Sequence, residues 1–355
     1  MRSLQDTLLL LLSGCTLIFA MASEQRPSQY YPSFFGSLPS MAGKTVVITG
    51  CSRGLGFVTA RAVSQKGGSV IMLNRPGRNA GDSFQRLKDE SANNIVSSPG
   101  AAATTTQQHH LVDCDLLSFE SVKEACRKVR DIASGKNGIH VLCNNAGIML
   151  QPDEASQDGY DITLQTNMLS HFLITRELMP CLKQGSLQSG RYSRVVTMSS
   201  ASGYGRPPLD NRFFEPRGGS LGGARASYER YHQSKLANLA FTAALHDRLI
   251  MSDNTSIQAI ACTPGVCGTD MFVHATTVMN GQPSPKSMVP STEDGAMSQL
   301  KCIFDPEVRS GELWGPGRNG ALECTPMKPP QILVDSTSKA LIWEACEKAV
   351  GKFEI

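Results

Sequence analysis

Tyr231 and Lys235 stand four residues apart in the run Tyr231-His232-Gln233-Ser234-Lys235, so on a helix their side chains share a face. A free phenol, with a pKa of about 10, is a poor acid or base near neutrality. An ammonium beside it favours the phenolate, which suits the pair to exchanging a proton with an alcohol or a carbonyl oxygen. Tyr228 competes for this role, but the residue four positions on is His232, not lysine. The plainer alternative is two solvated residues on one helix face. Ser199 and Ser200, with Ser202 nearby, directly follow the β-branched run Arg194–Met198 (RVVTM). The carboxyl ends of strands are where α/β proteins build their sites. A third feature is the turn Gly50-Cys51-Ser52-Arg53-Gly54-Leu55-Gly56, between TVVIT and the helix-like FVTARAVSQKG. Glycines there let the backbone turn tightly and approach a pyrophosphate, whose charge the helix N-terminus meets. Its GxxxGxG spacing departs from GxGxxG, and a merely tight turn is the alternative. His171 and Cys143 are reactive types but read as packing residues.

Elements of a definite kind must position these groups. Thr45–Thr49, Ser69–Leu73, Leu111–Cys114, Ile139–Cys143, Arg194–Met198 and Ser256–Cys262 are short apolar runs separated by helix-length segments. Strands without clean alternation, spaced by helices, predict an α/β fold: one doubly wound parallel sheet with helices on both faces. Ser91–Gln108 is low in complexity and is expected to be a disordered insertion. Gly203–Ala226 and Met271–Ser298 lack periodicity and read as loops or a lid over the site. Phe213, Phe214, Met271, Phe272, Val273 and Met279 either line an apolar cavity there or simply anchor the loops. Towards the C-terminus, Glu312-Leu313-Trp314 reads as a short strand, and Pro326, Pro329 and Pro330 mark an extended stretch. A helix is predicted over Ser336–Val350, with Ser336 as cap and Leu341, Ile342 and Cys346 buried, serving packing or a dimer contact.

Composition sets the outer bounds. The chain has 355 residues, is 41% hydrophobic and carries a net charge of +3, so no strong basic field points to nucleic acid. Eleven cysteines, with no CxxC pair and no zinc-like spacing, argue against a disulfide scaffold and against a metal site. Cys51, Cys114, Cys143 and Cys262 fall in or beside strands, which suits a reducing compartment. Asn254-Thr255-Ser256 is a glycosylation sequon of a kind that arises often by chance. The apolar run Leu8–Ala20, interrupted at Ser13, Gly14, Cys15 and Thr16, precedes a small-x-small site at Ala20-Met21-Ala22. It reads as a cleaved signal or targeting segment, an uncleaved anchor, or, from Leu12-Ser13-Gly14-Cys15, a lipoprotein signal. Residues 23–40, with Pro27, Pro32 and Pro39, read as a linker. The division expected is therefore a targeting segment plus linker at 1–40 and one catalytic domain at 41–355.

The motifs taken together are more specific. Thr49-Gly50 through Gly56, Asn144-Asn145-Ala146-Gly147, Tyr231 through Lys235, and Thr263-Pro264-Gly265 resemble, in order and spacing, the short-chain dehydrogenase/reductase family over about residues 43–300. Asp158-Gly159-Tyr160, Thr166 through Leu173 and Tyr231 through Asn238 are similar to its retinol dehydrogenase-like branch. Light-dependent protochlorophyllide reductases share the Tyr-x-x-Ser-Lys core. They usually replace the second Asn and the Gly of the NNAG turn, whereas this chain keeps Asn145 and Gly147. The resemblance implies a nicotinamide dinucleotide and a catalytic set of Asn167, Ser200, Tyr231 and Lys235. In that set Ser200 orients the carbonyl, Asn167 holds a water linking Lys235 to solvent, and Lys235 also binds the nicotinamide ribose. A helix-interior Asn is otherwise unfavourable. Gly50, Ser52, Arg53, Gly54, Leu55 and Gly56 would cradle the pyrophosphate, and Asp115 would bond the adenine amino group. Asn145, Ala146 and Gly147 would line the cofactor channel, and Pro264, Gly265 and Thr269 would meet the nicotinamide amide.

An NAD site usually carries an acid at the end of the second strand. Here Leu73-Asn74-Arg75 stands there instead, and the next acid is Asp82. Arg53 and Arg75 could both face a 2′-phosphate, so NADP(H) is expected, while two ordinary surface arginines would leave dual specificity. The function expected is carbonyl–alcohol interconversion on a small lipophilic substrate of retinol, steroid or aldehyde type. A photoreductase-like enzyme and a non-catalytic dinucleotide-binding scaffold are the alternatives. Membrane association through residues 7–22, at the endoplasmic reticulum or in an organelle such as a plastid, and a homodimer complete the expectations.

Overall fold

The apolar runs become the strands of one sheet because helices cover both of their faces. The computed structural model describes residues 24–97, 107–135, 137–200, 208–253, 256–317, 324–327 and 335–355. The apolar run at 8–20, residues 98–106 of the insertion, Ser202, Asn254, Pro329 and Pro330 lie outside the described residues. Six parallel strands follow the predicted runs: β1 (Thr45–Thr49), β2 (Ser69–Asn74), β3 (His110–Asp113), β4 (Val141–Asn144), β5 (Ser193–Met198) and β6 (Ile257–Cys262). With β7 (Leu313–Pro316) and β8 (Cys324–Pro326), the described residues form one sheet of order β3-β2-β1-β4-β5-β6-β7-β8. Only β7 and β8 pair antiparallel. The strand order reverses between β1 and β4, which opens a crevice at the carboxyl ends of the strands.

Helices α1 (Tyr31–Ser37), α2 (Gly54–Gln65), α3 (Arg78–Ser97) and α8 (Thr292–Phe304) cover one face of the sheet. Helices α4 (Phe119–Ser134), α5 (Ser170–Ser189), α6 (Ser227–Met251) and α9 (Ser336–Val350) cover the other. Helix α7 (Asp270–Asn280) lies between β6 and α8 in the chain. Asp161 accepts from the backbone N–H groups of Thr163 and Leu164 and so caps a short helical turn, Ile162–Leu164. That turn runs through a π turn, Gln165–Leu169, into α5.

Several expectations are corrected here. Within the expected linker at 23–40, Pro32 sits in the first turn of α1 and Tyr31 and Leu38 are buried, as is Met41 just after it. The buried carboxylate of Asp294 accepts the backbone N–H groups of Gln29 (3.0 Å), Tyr30 (3.0 Å) and Tyr31 (2.9 Å). Glu293 accepts from Ser28 Oγ at 2.6 Å and pairs with Arg61 at 3.0 Å. The segment is thus a strap tied to the N-terminus of α8, by partners some 265 residues away. Removing the Asp294 carboxylate strands three N–H groups. Asp294→Ala should therefore lower the unfolding free energy by about 2–3 kcal/mol. Denaturant titration reads this, and a change of under about 0.5 kcal/mol would show the strap to be dispensable.

Residues 271–280 are helical rather than loop-like, because Thr269 caps α7 at its start and Gly281, at φ +75°, ends it. Ser91 to Ser97 continue α3 and so fall outside any insertion. Phe213 and Phe214 do not line an open cavity. Each is 1% exposed within the main core, so they anchor their segment. The cap of α9 is Asp335, one residue before Ser336, and its side chain accepts from the N–H groups of Thr337 and Ser338. Trp343, which the sequence reading passed over, packs edge-on to Phe172 (5.1 Å) and stacks on Phe353 (5.2 Å). Leu341 is only partly buried. The apolar side of α9 is occupied within the chain.

Candidate active site

Tyr231 and Lys235 lie on the inward face of α6, both buried, at the carboxyl end of β5. Lys235 Nζ donates to the Met198 carbonyl at 3.1 Å and stands 5.8 Å from the centre of the Tyr231 ring. Ser199 turns its hydroxyl away and donates to the Lys235 carbonyl at 2.8 Å. Ser200, the next residue, hydrogen-bonds with the Tyr231 side chain. Asn167 sits in the π turn, a deviation that recurs at functional sites. Its Oδ1 accepts from Ile148 N at 2.9 Å, and its Nδ2 donates to Ile148 O (3.0 Å) and Ser234 Oγ (2.9 Å). A Cβ on Gly147 would come within 3.3 Å of Lys235 Nζ and 3.4 Å of Asn167 Oδ1. Asn167, Ser200, Tyr231 and Lys235 are thereby drawn into one neighbourhood with the NNAG turn.

The electrostatics differ from the sequence-based expectation. Burial pushes the Tyr231 phenol up to about 12, against the pull of its hydrogen bond with Ser200, and Tyr228 and Cys267 push it further. Burial also lowers the Lys235 amine to about 8. Loss of water therefore outweighs any help the lysine gives the phenolate, and the amine is already engaged by a backbone carbonyl. The His171 ring is brought down to about 4, again by burial, which leaves it neutral.

Around the glycine turn, the N-cap of α2 is Arg53, in extended conformation and with no side-chain cap, and the first turn holds no acidic residue. An uncapped, acid-free helix start with open N–H groups fits an anionic dinucleotide. Gly50 has φ +65°, and a Cβ there would strike Ala146 Cβ at 2.7 Å. Ser52, Arg53 and Gly54 share a cleft of about 320 Å³ with Thr269, which brings together two predicted segments from opposite ends of the chain. Gln25 of the strap lines the same cleft and donates to Gly268 O at 2.6 Å. The sequence reading missed it, and Pro32 beside the aromatic pair Phe34-Phe35 was the only local hint of a folded strap. Leu55 and Gly56 continue into the first turn of α2, and Pro264 and Gly265 follow β6 beside Pro316.

Some predicted residues have side chains committed elsewhere. The Asn145 amide donates to Thr49 O (2.9 Å) and Gly50 O (3.1 Å), so it closes the glycine turn and does not point freely into a channel. Asp115 Oδ1 accepts from Leu117 N at 3.0 Å, and the Thr269 hydroxyl caps α7. Arg53 pairs with Asp270 at 3.1 Å yet stays 71% exposed, and Arg75 is exposed beyond the end of β2. Met271 and Phe272 are half-buried on α7.

A group that the sequence reading missed lies beside Tyr231. Arg230, fully buried, pairs with the equally buried Asp161 at 3.2 Å. It also donates to Gly223 O (2.8 Å) and Gln151 O (2.9 Å). Asp153 meets Arg217 and accepts from Ser220 Oγ (2.7 Å), Leu221 N (2.9 Å) and Gly223 N (2.7 Å). This cluster ties the 217–223 segment to the cap of the π-turn helix, next to the candidate proton donor.

Comparison with known proteins agrees with this fold. A family model for short chain dehydrogenases matches residues 44–209. Human polyprenol dehydrogenase is 30% identical over 273 residues, covering 76% of this chain and 75% of that protein. Human retinol dehydrogenase 14 is 29% identical over 321 residues, covering 88% and 87%. Among solved structures, a protein of Mycobacterium paratuberculosis aligns with a TM-score of 0.66 at 29% identity, over 93% of this chain and all of that one.

Proposed function

The chain belongs to the short-chain dehydrogenase family of oxidoreductases, and from that premise we propose that it interconverts a lipophilic alcohol and its carbonyl compound with NADP(H). The observation that carries this reading is the meeting of Asn167, Ser200, Tyr231 and Lys235 in one buried neighbourhood. When bound, the nicotinamide supplies or accepts the hydride. The residues that would hold the dinucleotide are Ser52 to Gly56 at the pyrophosphate, Asp115 at the adenine, and Ala146 and Gly147 along the channel. Lys235 would meet the ribose, and Pro264, Gly265 and Thr269 the amide. In the reducing direction Ser200 steadies the carbonyl oxygen and Tyr231 gives it a proton. The Lys235–Asn167 network then returns a proton to the phenolate, and alcohol oxidation runs the same steps backwards.

The 2′-phosphate falls to Arg75 and to Arg53, because no acid stands at the end of β2. Reversing the charge should show this. Arg75→Asp is expected to move the NADPH-to-NADH ratio of kcat/KM by about tenfold or more towards NADH, the worth of one charged hydrogen bond. An unchanged ratio would make Arg75 an ordinary surface arginine with no part in the choice of dinucleotide.

Lipophilic substrates are supported by the names of the relatives, polyprenol and retinol dehydrogenases, and by Met271 and Phe272 on α7. The apolar run Leu8–Ala20 goes with a membrane-associated or organelle-targeted enzyme, although no helix among the described residues is long and apolar enough to cross a membrane. The test follows NADPH consumption by the full chain, in the dark, against isoprenoid, steroid and medium-chain aldehydes and ketones, with Tyr231→Phe as control. Turnover that vanishes in the control is the expected result. Tight NADPH binding with no dark turnover on any of them would overturn the reading, and turnover appearing only under light would favour a photoreductase.

A further inference from the structure

His171 lies one turn beyond Asn167, buried to 1% exposure, and its two ring nitrogens face two different parts of the site. Thr49, at the end of β1, accepts the backbone N–H groups of Asn145 and Ala146 on its Oγ1, each at 3.0 Å. Two donors fill the acceptor side of that hydroxyl, so its single proton must go to a third partner. His171 Nε2 stands 2.9 Å away, closer than the other acceptor, the Cys143 carbonyl at 3.5 Å. Nε2 is then the acceptor. A neutral imidazole carries its proton on the remaining nitrogen, and that nitrogen, Nδ1, faces the Asn167 carbonyl at 3.1 Å.

We propose that His171 is a positioning residue for the reaction described above, joining the Asn167 carbonyl to the Thr49 hydroxyl through its Nδ1–H form. The link matters because the segment between its ends has no slack. Thr49 holds Asn145 and Ala146, the Asn167 amide holds Ile148 in both directions, and Gly147 lies between them. Gly147 faces the site, since a Cβ added there would reach to 3.3 Å from Lys235 Nζ and 3.4 Å from Asn167 Oδ1, so the turn's position sets the room beside the lysine. His171 thus keeps the π turn that carries Asn167 in register with the glycine turn and the NNAG turn.

Nitrogen-15 NMR of ring-labelled histidine reads the tautomer directly: the expected signals are a protonated Nδ1 and an unprotonated Nε2, with the Nε2 signal moving in Thr49→Val. His171→Leu should lower kcat by about 10- to 100-fold, the usual cost of an ångström-scale misplacement, while the Kd for NADPH stays within about threefold. His171→Gln, whose amide offers one donor and one acceptor, should recover at least half of that loss on a logarithmic scale. An Nε2–H tautomer would overturn the proposal. So would a leucine variant with kcat within about twofold of wild type, or leucine and glutamine variants equally impaired with equal losses of Tm. This inference rests on the carbonyl-reductase reading, but a wild-type protein without turnover would count against that reading alone, because the NMR result still decides the role of His171.

Discussion

Tyr231→Phe should lower kcat by about 10²- to 10⁴-fold, the usual contribution of a positioned proton donor, with NADPH affinity within about threefold of wild type. The phenol is hydrogen-bonded with Ser200, and phenylalanine keeps the ring and its packing against Tyr228. Because burial pushes the phenol up to about 12, it stays protonated across neutral pH. Carbonyl reduction should therefore be nearly flat from about pH 6 to 7 and decline towards pH 9 as the Lys235 amine, brought down to about 8, loses the proton it passes on. Alcohol oxidation needs the phenolate and should rise with pH over the same range. Paired steady-state kinetics and fluorescence titration of NADPH separate the chemical step from binding. A phenylalanine variant retaining more than about a tenth of kcat would move the proton donor elsewhere in the site.

The second large effect is on stability. Arg230→Met leaves the buried Asp161 carboxylate without its cation and should cost about 3–5 kcal/mol. Asp161 cannot be relieved by water, since both partners are 0% exposed. Its carboxyl is raised above the usual range by burial, against the pull of the Leu164 N–H and of Arg230, and removing the arginine raises it further. A carboxyl raised on folding is destabilising where it must ionise, so the deficit is full well above its folded value and shrinks as pH falls and it takes up a proton. Guanidinium titrations at pH 8 and pH 5 should show that difference. Adding Asp161→Asn removes the stranded charge yet keeps an oxygen for the N–H groups of Thr163 and Leu164, and should recover half or more of the loss. A deficit under about 1 kcal/mol at both pH values would mean that the carbonyls gripped by Arg230, and not the ion pair, define its role. In surviving enzyme KM should rise more than kcat falls, because the 217–223 segment loosens while Tyr231 remains in place.

What was legible in the sequence was what short-range physics decides. TVVIT, SRVVTM and IQAIAC fill strands because continuous β-branched and apolar runs pack on both faces. Tyr231 and Lys235 share a helix face because they are four residues apart, and the glycine turn is marked by Gly50 and Gly54 at φ +65° and +60°, a region that glycine enters without steric cost. These local rules determined the sheet, the helix carrying the pair and the family resemblance. Burial and remote partners decided the rest, and neither is written in a window of ten residues. The strap within residues 23–40 reads as linker until Asp294 supplies the acceptors for its N–H groups. Phe213 and Phe214 read equally well as cavity wall or core until the described chain closes over them. Ser199 and Ser200 are the same residue type side by side, and only the position of α6 turns one to the Lys235 carbonyl and leaves the other for Tyr231. The direction of the Tyr231 shift, and the proton on His171, likewise depend on how much water the surrounding elements exclude and on which acceptors remain once backbone groups have taken theirs.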